Sequence, residues 1–248
     1  MDDSADVNFQ SITPQQALTT LSQGELALDH MLPWGSNYTF LIYAAHAGFK
    51  IPAVYKPTRG ERPLWDFPNG TLAKREVAAY MVATSIGWHF IPPTVYRDGP
   101  HGPGSVQFYV DVDPDNHYFN FTSKDEQQLR TIVLFDALAN NADRKSGHVL
   151  CDGQGHYWGI DHGLCFNQDY KLRTVVWDFA GDNIPPNLIN DMQNLLTYTE
   201  PGQELHTMLN QLLLSWEIDA LRRRTRQLIN RGNFPQPGPG RNYPWPPV

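Results

Sequence analysis

The feature that most restricts the fold of this chain is a change of period near its middle. Between Leu26 and Val110 the apolar residues come in short runs broken by Gly, Pro and Asn; past Asp111 they recur at helical spacing. Leu26-Ala27-Leu28, Tyr38-Thr39-Phe40-Leu41-Ile42-Tyr43 and Pro52-Ala53-Val54-Tyr55 read as strands, with turns at Gly35-Ser36-Asn37 and Ala47-Gly48. Pro92-Pro93-Thr94-Val95-Tyr96 and Ser105-Val106-Gln107-Phe108-Tyr109-Val110 read as a further hairpin, turning through residues 98–104. Two helices are expected in this half. Thr13-Pro14-Gln15-Gln16 has a capping threonine, an early proline and a glutamine at capping-box spacing. Residues 72–86 carry Val77, Tyr80, Met81 and Thr84 on one face, with Gly87 as the stop.

The second half reads as helices over 124–139, 188–197 and 202–231, the last with a broad apolar face of Leu205, Leu209, Leu212, Leu213, Trp216, Ile218 and Leu221. Strands followed by helices, rather than strictly alternating with them, imply an α+β fold: a small antiparallel sheet, then a helical region. The expected division is a sheet-rich lobe over 1–111, a helical lobe over 112–233, and a Pro-rich tail over 234–248 that is extended on the surface or disordered.

Composition removes several function classes. The formal net charge is −7, which argues against a broad nucleic-acid footprint. Only Cys151 and Cys165 are present, so there is no disulfide framework or zinc knuckle. Met1-Asp2-Asp3-Ser4-Ala5-Asp6 lacks the order of a signal peptide. No run approaches the roughly 20 apolar residues of a membrane span. A cytoplasmic protein with no nucleic-acid partner and no membrane span is expected.

The chemistry lies where the helical half begins. Asp143-Arg144-Lys145-Ser146-Gly147-His148 follows a helix; after a segment that reads as a short hairpin comes Ile160-Asp161-His162-Gly163-Leu164. Two carboxylates in such loops suit phosphoryl transfer, one orienting the nucleophile and one holding a divalent metal against phosphates. Asp161 lies in an apolar stretch, where a carboxylate is costly to bury without a cation or hydrogen bonds. Arg144 suits a carboxylate or a substrate phosphate. Upstream, Lys56 ends an apolar strand and suits ATP phosphates, with Glu76 on the next helix as its acidic partner. The turn Gly35-Ser36-Asn37 can offer backbone N–H groups to phosphates, and is equally ordinary hairpin chemistry. The segment from Arg59 to Pro68 is either a cover for the site or a loop packed on its own Trp65 and Phe67. His148, His156 and His162 also invite a metal-hydrolase reading, but HExxH is absent, as are GxSxG, GxxxxGK[ST] and GxGxxG.

Asp143-Arg144 with His148, then Ile160-Asp161-His162-Gly163, resembles the DRxxxN and DFG motifs of the phosphatidylinositol 3-/4-kinase-like superfamily. Val54-Tyr55-Lys56-Pro57 resembles the lysine strand of HipA-like serine/threonine kinases. The block from Gly60-Glu61-Arg62-Pro63-Leu64-Trp65 to Asp66-Phe67-Pro68 is similar to that of a small bacterial group of that superfamily with no assigned substrate.

The resemblance implies a two-lobed protein-kinase-like fold and an ATP-dependent phosphotransferase with Mg²⁺ or Mn²⁺. Its acceptor would be a hydroxyl of a protein or small molecule. By this resemblance Lys56 holds ATP phosphates and Glu76 orients it. Asp143 orients or deprotonates the acceptor, and Asp161 binds metal. Gln107 to Asp111, with Gln107 and Tyr109, form the adenine hinge. His148 stands at the asparagine position, where an imidazole favours Mn²⁺. His162 replaces the usual phenylalanine. The alternative is a nucleotide-binding pseudokinase acting as a regulatory scaffold.

Overall fold

The computed structural model describes residues 12–32 and 37–248. The elements are α1 (Pro14–Gln23), β1 (Glu25–Met31), β2 (Phe40–His46), β3 (Phe49–Pro57), α2 (Leu72–Ser85), β4 (Thr94–Gly99), β5 (Gly102–Phe108), α3 (Glu126–Ala139), β6 (Val149–Cys151), β7 (Tyr157–Gly159), α4 (Pro186–Tyr198), α5 (Glu204–Leu209) and α6 (Ser215–Arg231). They form two compact units. One takes in the described residues up to Ala73 together with Pro92–Val110; the other takes in Lys74–Ile91 and Asp111–Val248. Most of α2, expected within the first lobe, therefore belongs with the helices of the second unit.

The first unit is an antiparallel sheet in the order β1-β2-β3-β5-β4. Its alternation is the period-2 pattern of the sequence: Ile42 and Ala44 of β2, and Ile51, Ala53 and Tyr55 of β3, point to one buried face with Val106 of β5. α1 covers that face with Ala17 and Leu21. Each large apolar side chain so buried contributes about 1.5–3 kcal/mol. Thr13 caps α1 in a reciprocal box with Gln16. The β2–β3 turn has positive φ at both Ala47 and Gly48, as a tight hairpin turn requires.

Lys56 is placed by β3, opposite Ser105 of β5. The next pair is Pro57 and Gly104, where the strands close tightly. A Cβ on Gly104 would lie 2.4 Å from the Lys56 carbonyl oxygen and 2.8 Å from Pro57 Cα. Gly104→Ala is therefore expected to push the Lys56 end of β3 away and to cost about 1–3 kcal/mol, readable as a lowered Tm. The loop after β3 has a structural duty: Glu61 accepts hydrogen bonds from the Leu72 and Ala73 amides and so caps the start of α2.

The second unit is built around α3, in which Leu129 and every residue from Ile132 to Ala139 are buried. Asp125 caps its start and Asn140, at φ 58°, closes its end in the left-handed conformation. The hairpin expected between the two aspartate motifs is β6–β7. The sequence suggests one helix over 202–231; the chain instead breaks into α5 and α6. Leu214 is extended, and its amide is taken by Glu217, which restarts the helix. Residues 234–248 run without helix or strand and are fastened to this unit: Phe234 is buried, and its amide bonds Asp182 O. Among the described residues no helix is long and apolar enough to cross a membrane.

Candidate active site

The Asp143 turn is built from asparagines. Asn141 donates to the Asp136 carboxylate, and its own side-chain oxygen accepts from the Asp143 amide at 3.0 Å. Asn140 ties the same corner to Asn167 O and Asp169 O. Asp143 sits on this frame with its side chain largely covered. Burial pushes its carboxyl up to about 6, and the Asp161 charge adds to the rise; Lys145, Arg173 and Arg241 oppose it.

Arg144 does something different from what its neighbour suggests. Its guanidinium is fully buried and forks onto Asp136 at 2.8 and 2.9 Å. It also donates to the carbonyls of His148 and Ile160 and to His162 Nε2 at 2.7 Å. The expected carboxylate partner is present as Asp136; the expected substrate phosphate is not compatible with a side chain sealed from solvent. Arg144 is the clamp that fixes the Asp143 loop to the Asp161 loop.

That clamp explains His162. Arginine only donates, so His162 Nε2 accepts. The ring also packs edge-on against Phe90 and Phe135, as an aromatic at this position would. Its amide donates to Glu76 Oε2 at 2.8 Å, so Glu76 of α2 holds the backbone next to Asp161. The neighbouring Arg75, also buried, bonds Cys165 O and Glu217, anchoring α2 to the same loop and to α6.

Asp161 has φ 58°, a left-handed conformation that aspartate tolerates better than most residues. Its side chain is about half exposed, 47%. His148 Nε2 lies 3.4 Å from Asp161 Oδ2. His148 Nδ1 lies 3.0 Å from the Asp143 carbonyl, which can only accept, and 3.5 Å from the Lys145 amide. The Asp143 carbonyl takes a proton from Nδ1–H, whereas the Lys145 amide can only donate to a bare Nδ1; the first arrangement is the one with Nδ1 protonated. In neutral imidazole Nε2 then turns a lone pair towards the carboxylate. Two electron donors facing each other at this distance suit a cation held by both, and a metal-binding histidine is commonly oriented by just such a carbonyl. Among the described residues no group of three or more His, Cys, Asp and Glu is arranged to hold a metal. Phosphate and water oxygens would complete the shell, as Mg²⁺ and Mn²⁺ allow. His156 is elsewhere, packed edge-on against Trp158 with Nε2 on His89 O.

One candidate was missed in the sequence. Lys145, two residues after Asp143, places Nζ 3.8 Å from Asp143 Oδ2. A cation at that spacing was a visible signal.

In the first unit Lys56 is half-buried at the end of β3. Gln107 is buried with Nε2 on Thr94 Oγ1, and the Tyr109 amide bonds Pro52 O. Asn37 Oδ1 accepts from the Arg62 amide, so it braces the loop after β3; Gly35 and Ser36 lie outside the described residues.

With this geometry in view, the chain can be set beside known proteins. It is 37% identical to protein Rv2133c of Mycobacterium tuberculosis over 261 aligned positions, covering 91% of this chain and 93% of that protein. The chain belongs to the family of Rv2133c. No family model matches it. Among solved structures it resembles the Golgi casein kinase with Mn/ADP bound, with TM-score 0.56, 16% identity, and 88% of this chain and 75% of that one covered. It also resembles hydra Fam20 with sugar, with TM-score 0.55, 14% identity, and coverage of 88% and 87%. The fold of this Rv2133c relative is thus α+β and kinase-like, as in these structures.

Proposed function

We propose that the protein is an ATP-dependent phosphotransferase that moves a phosphoryl group to a hydroxyl of a small molecule or protein, using Mg²⁺ or Mn²⁺. The observation that carries this is the His148–Asp161 pair: an oriented imidazole nitrogen facing a carboxylate at 3.4 Å, beside a carboxyl poised near neutrality. The Mn/ADP bound to the structurally similar casein kinase supports the same ligand class. A bound divalent ion would neutralise phosphate charge; Asp161 and His148 are the residues to hold it. Asp143, at about 6, is ionised at neutral pH and suited to accept the acceptor's proton. Lys145 and Lys56 are cations suited to phosphate oxygens. Arg144 and Glu76 position, and touch no substrate. Affiliation with the phosphatidylinositol 3-/4-kinase-like or HipA-like groups, and a cytoplasmic setting with its ATP supply, belong to the same proposal.

A pseudokinase is the second reading, and the same contact favours it. If His148 is protonated, Nε2–H donates to Asp161 and the pair closes on itself, without a metal. Thermal melts separate the two. On the phosphotransferase reading, ATP raises Tm only with a divalent ion, and ADP accumulates. ATP stabilisation independent of metal, with no ADP formed, supports the pseudokinase. We expect His148→Asn to shift the ratio of Mg²⁺- to Mn²⁺-supported turnover towards Mg²⁺ by about tenfold. An unchanged ratio means that His148 is not a ligand.

A further inference from the structure

The stretch from Pro235 to Val248 has no part in the chemistry above, yet it is attached to the loop that carries it. Gly238 to Asn242 fold into a turn, with Asn242 Nδ2 donating to Gly238 O and Gly240 O. Asn242 O then accepts from the Thr174 amide at 3.0 Å and from Trp177 Nε1 at 3.4 Å. Further along, Pro247 O accepts from the Ser146 amide at 2.9 Å. Ser146 is in the Asp143 loop. Thr174 is in the segment after Asp161, and that segment pairs directly with Arg144 through Arg144 N to Arg173 O and Val175 N to Arg144 O. The attachment is therefore a tie at two points, Asn242 and Pro247, that lays this segment beside the catalytic loop. Arg241, near its start, is close enough for its charge to lower the Asp143 carboxyl.

The composition of this segment matters. Pro244, Pro246 and Pro247 have no N–H, so the segment accepts from the loop but offers few donors outward. An extended peptide acceptor is normally held by main-chain pairing to an exposed edge. Beside Asp143 the Ser146 and Thr174 amides are main-chain donors, and both are filled by this chain itself. A small hydroxylated molecule needs neither.

We infer that residues 241–248 form a strap in the place of a peptide acceptor, so that the strapped protein phosphorylates small-molecule hydroxyls and takes extended peptides only when the strap is displaced. This rests on the phosphotransferase reading.

The test compares the 248-residue chain with one ending at Gly240, using γ-labelled ATP, Mg²⁺ or Mn²⁺ and a degenerate mixture of Ser/Thr peptides. Labelling of peptides should rise about tenfold or more in the shortened chain, since the closed strap reduces the competent fraction. A synthetic peptide of the sequence Arg241–Val248 added in trans should reverse the gain. Asn242→Ala in the full chain, which loosens the turn without removing the segment, should move labelling in the same direction. Equal labelling by full and shortened chains overturns the strap. So does the absence of peptide labelling in both while ATP with metal still raises Tm. If ATP with metal does not raise the Tm of the full chain, the phosphotransferase reading fails first, and the strap with it.

Discussion

Arg144→Met is expected to lower stability by about 3–5 kcal/mol, because it leaves the Asp136 carboxylate buried without its cation. Both side chains are sealed from solvent. The Ile160 carbonyl and His162 Nε2 lose the Arg144 donor at the same time, and the His148 carbonyl keeps only the Ile160 amide. The loss should appear as a lower urea midpoint with an unchanged slope. The compensated variant Arg144→Met with Asp136→Leu should recover much of it, since replacing a buried pair by apolar groups is often neutral. A loss below about 1 kcal/mol for the single variant would assign Arg144 the value of a surface ion pair and contradict the clamp.

Asp143→Asn separates chemistry from folding. On the proposed role of Asp143 as proton acceptor, turnover should fall by about 10²–10⁴ while nucleotide binding persists. Stability should move the other way. The folded carboxyl titrates near 6 against a usual value of 3.8. The folded state therefore holds an extra proton between those values, and stability falls as pH rises through 6. Above that, the ionised, largely buried Asp143 costs up to about 3 kcal/mol, which asparagine avoids. Melts in chelator should show Asp143→Asn more stable than the parent at pH 8 and equal to it near pH 4. Parent activity should decline as pH is lowered through about 6.

Much of the frame could be read from residue order. The Thr13 box, the Ala47-Gly48 turn and the hairpin between the aspartates are local, and local chemistry decided them. What could not be read depends on distant partners. The apolar stripe over 202–231 continues through Leu209, Leu212 and Leu213, so periodicity cannot reveal the break. The break is fixed by Glu217, which caps the Leu214 amide and pairs with Arg75, 142 positions earlier. Arg144 followed a candidate base and so suggested a substrate contact. Only the return of α3 with Asp136 shows it to be interior. His162 looked like a departure from an aromatic rule; its ring keeps the aromatic packing and adds an acceptor for the clamp. The strap is Pro-rich, and composition alone favours a free tail; its carbonyls find amides at positions 146 and 174 only once the second unit has folded.

The fate of the terminal phosphate of ATP decides the matter. With Mn²⁺ or Mg²⁺ and a panel of polyols as acceptors, label in the γ position should leave the nucleotide with the parent protein. It should stay in place with Asp143→Asn, and α label should remain on the nucleotide throughout. ATP that binds with metal yet keeps its γ label in the parent protein, or transfer of α label instead, would contradict phosphoryl transfer at Asp143 and Asp161.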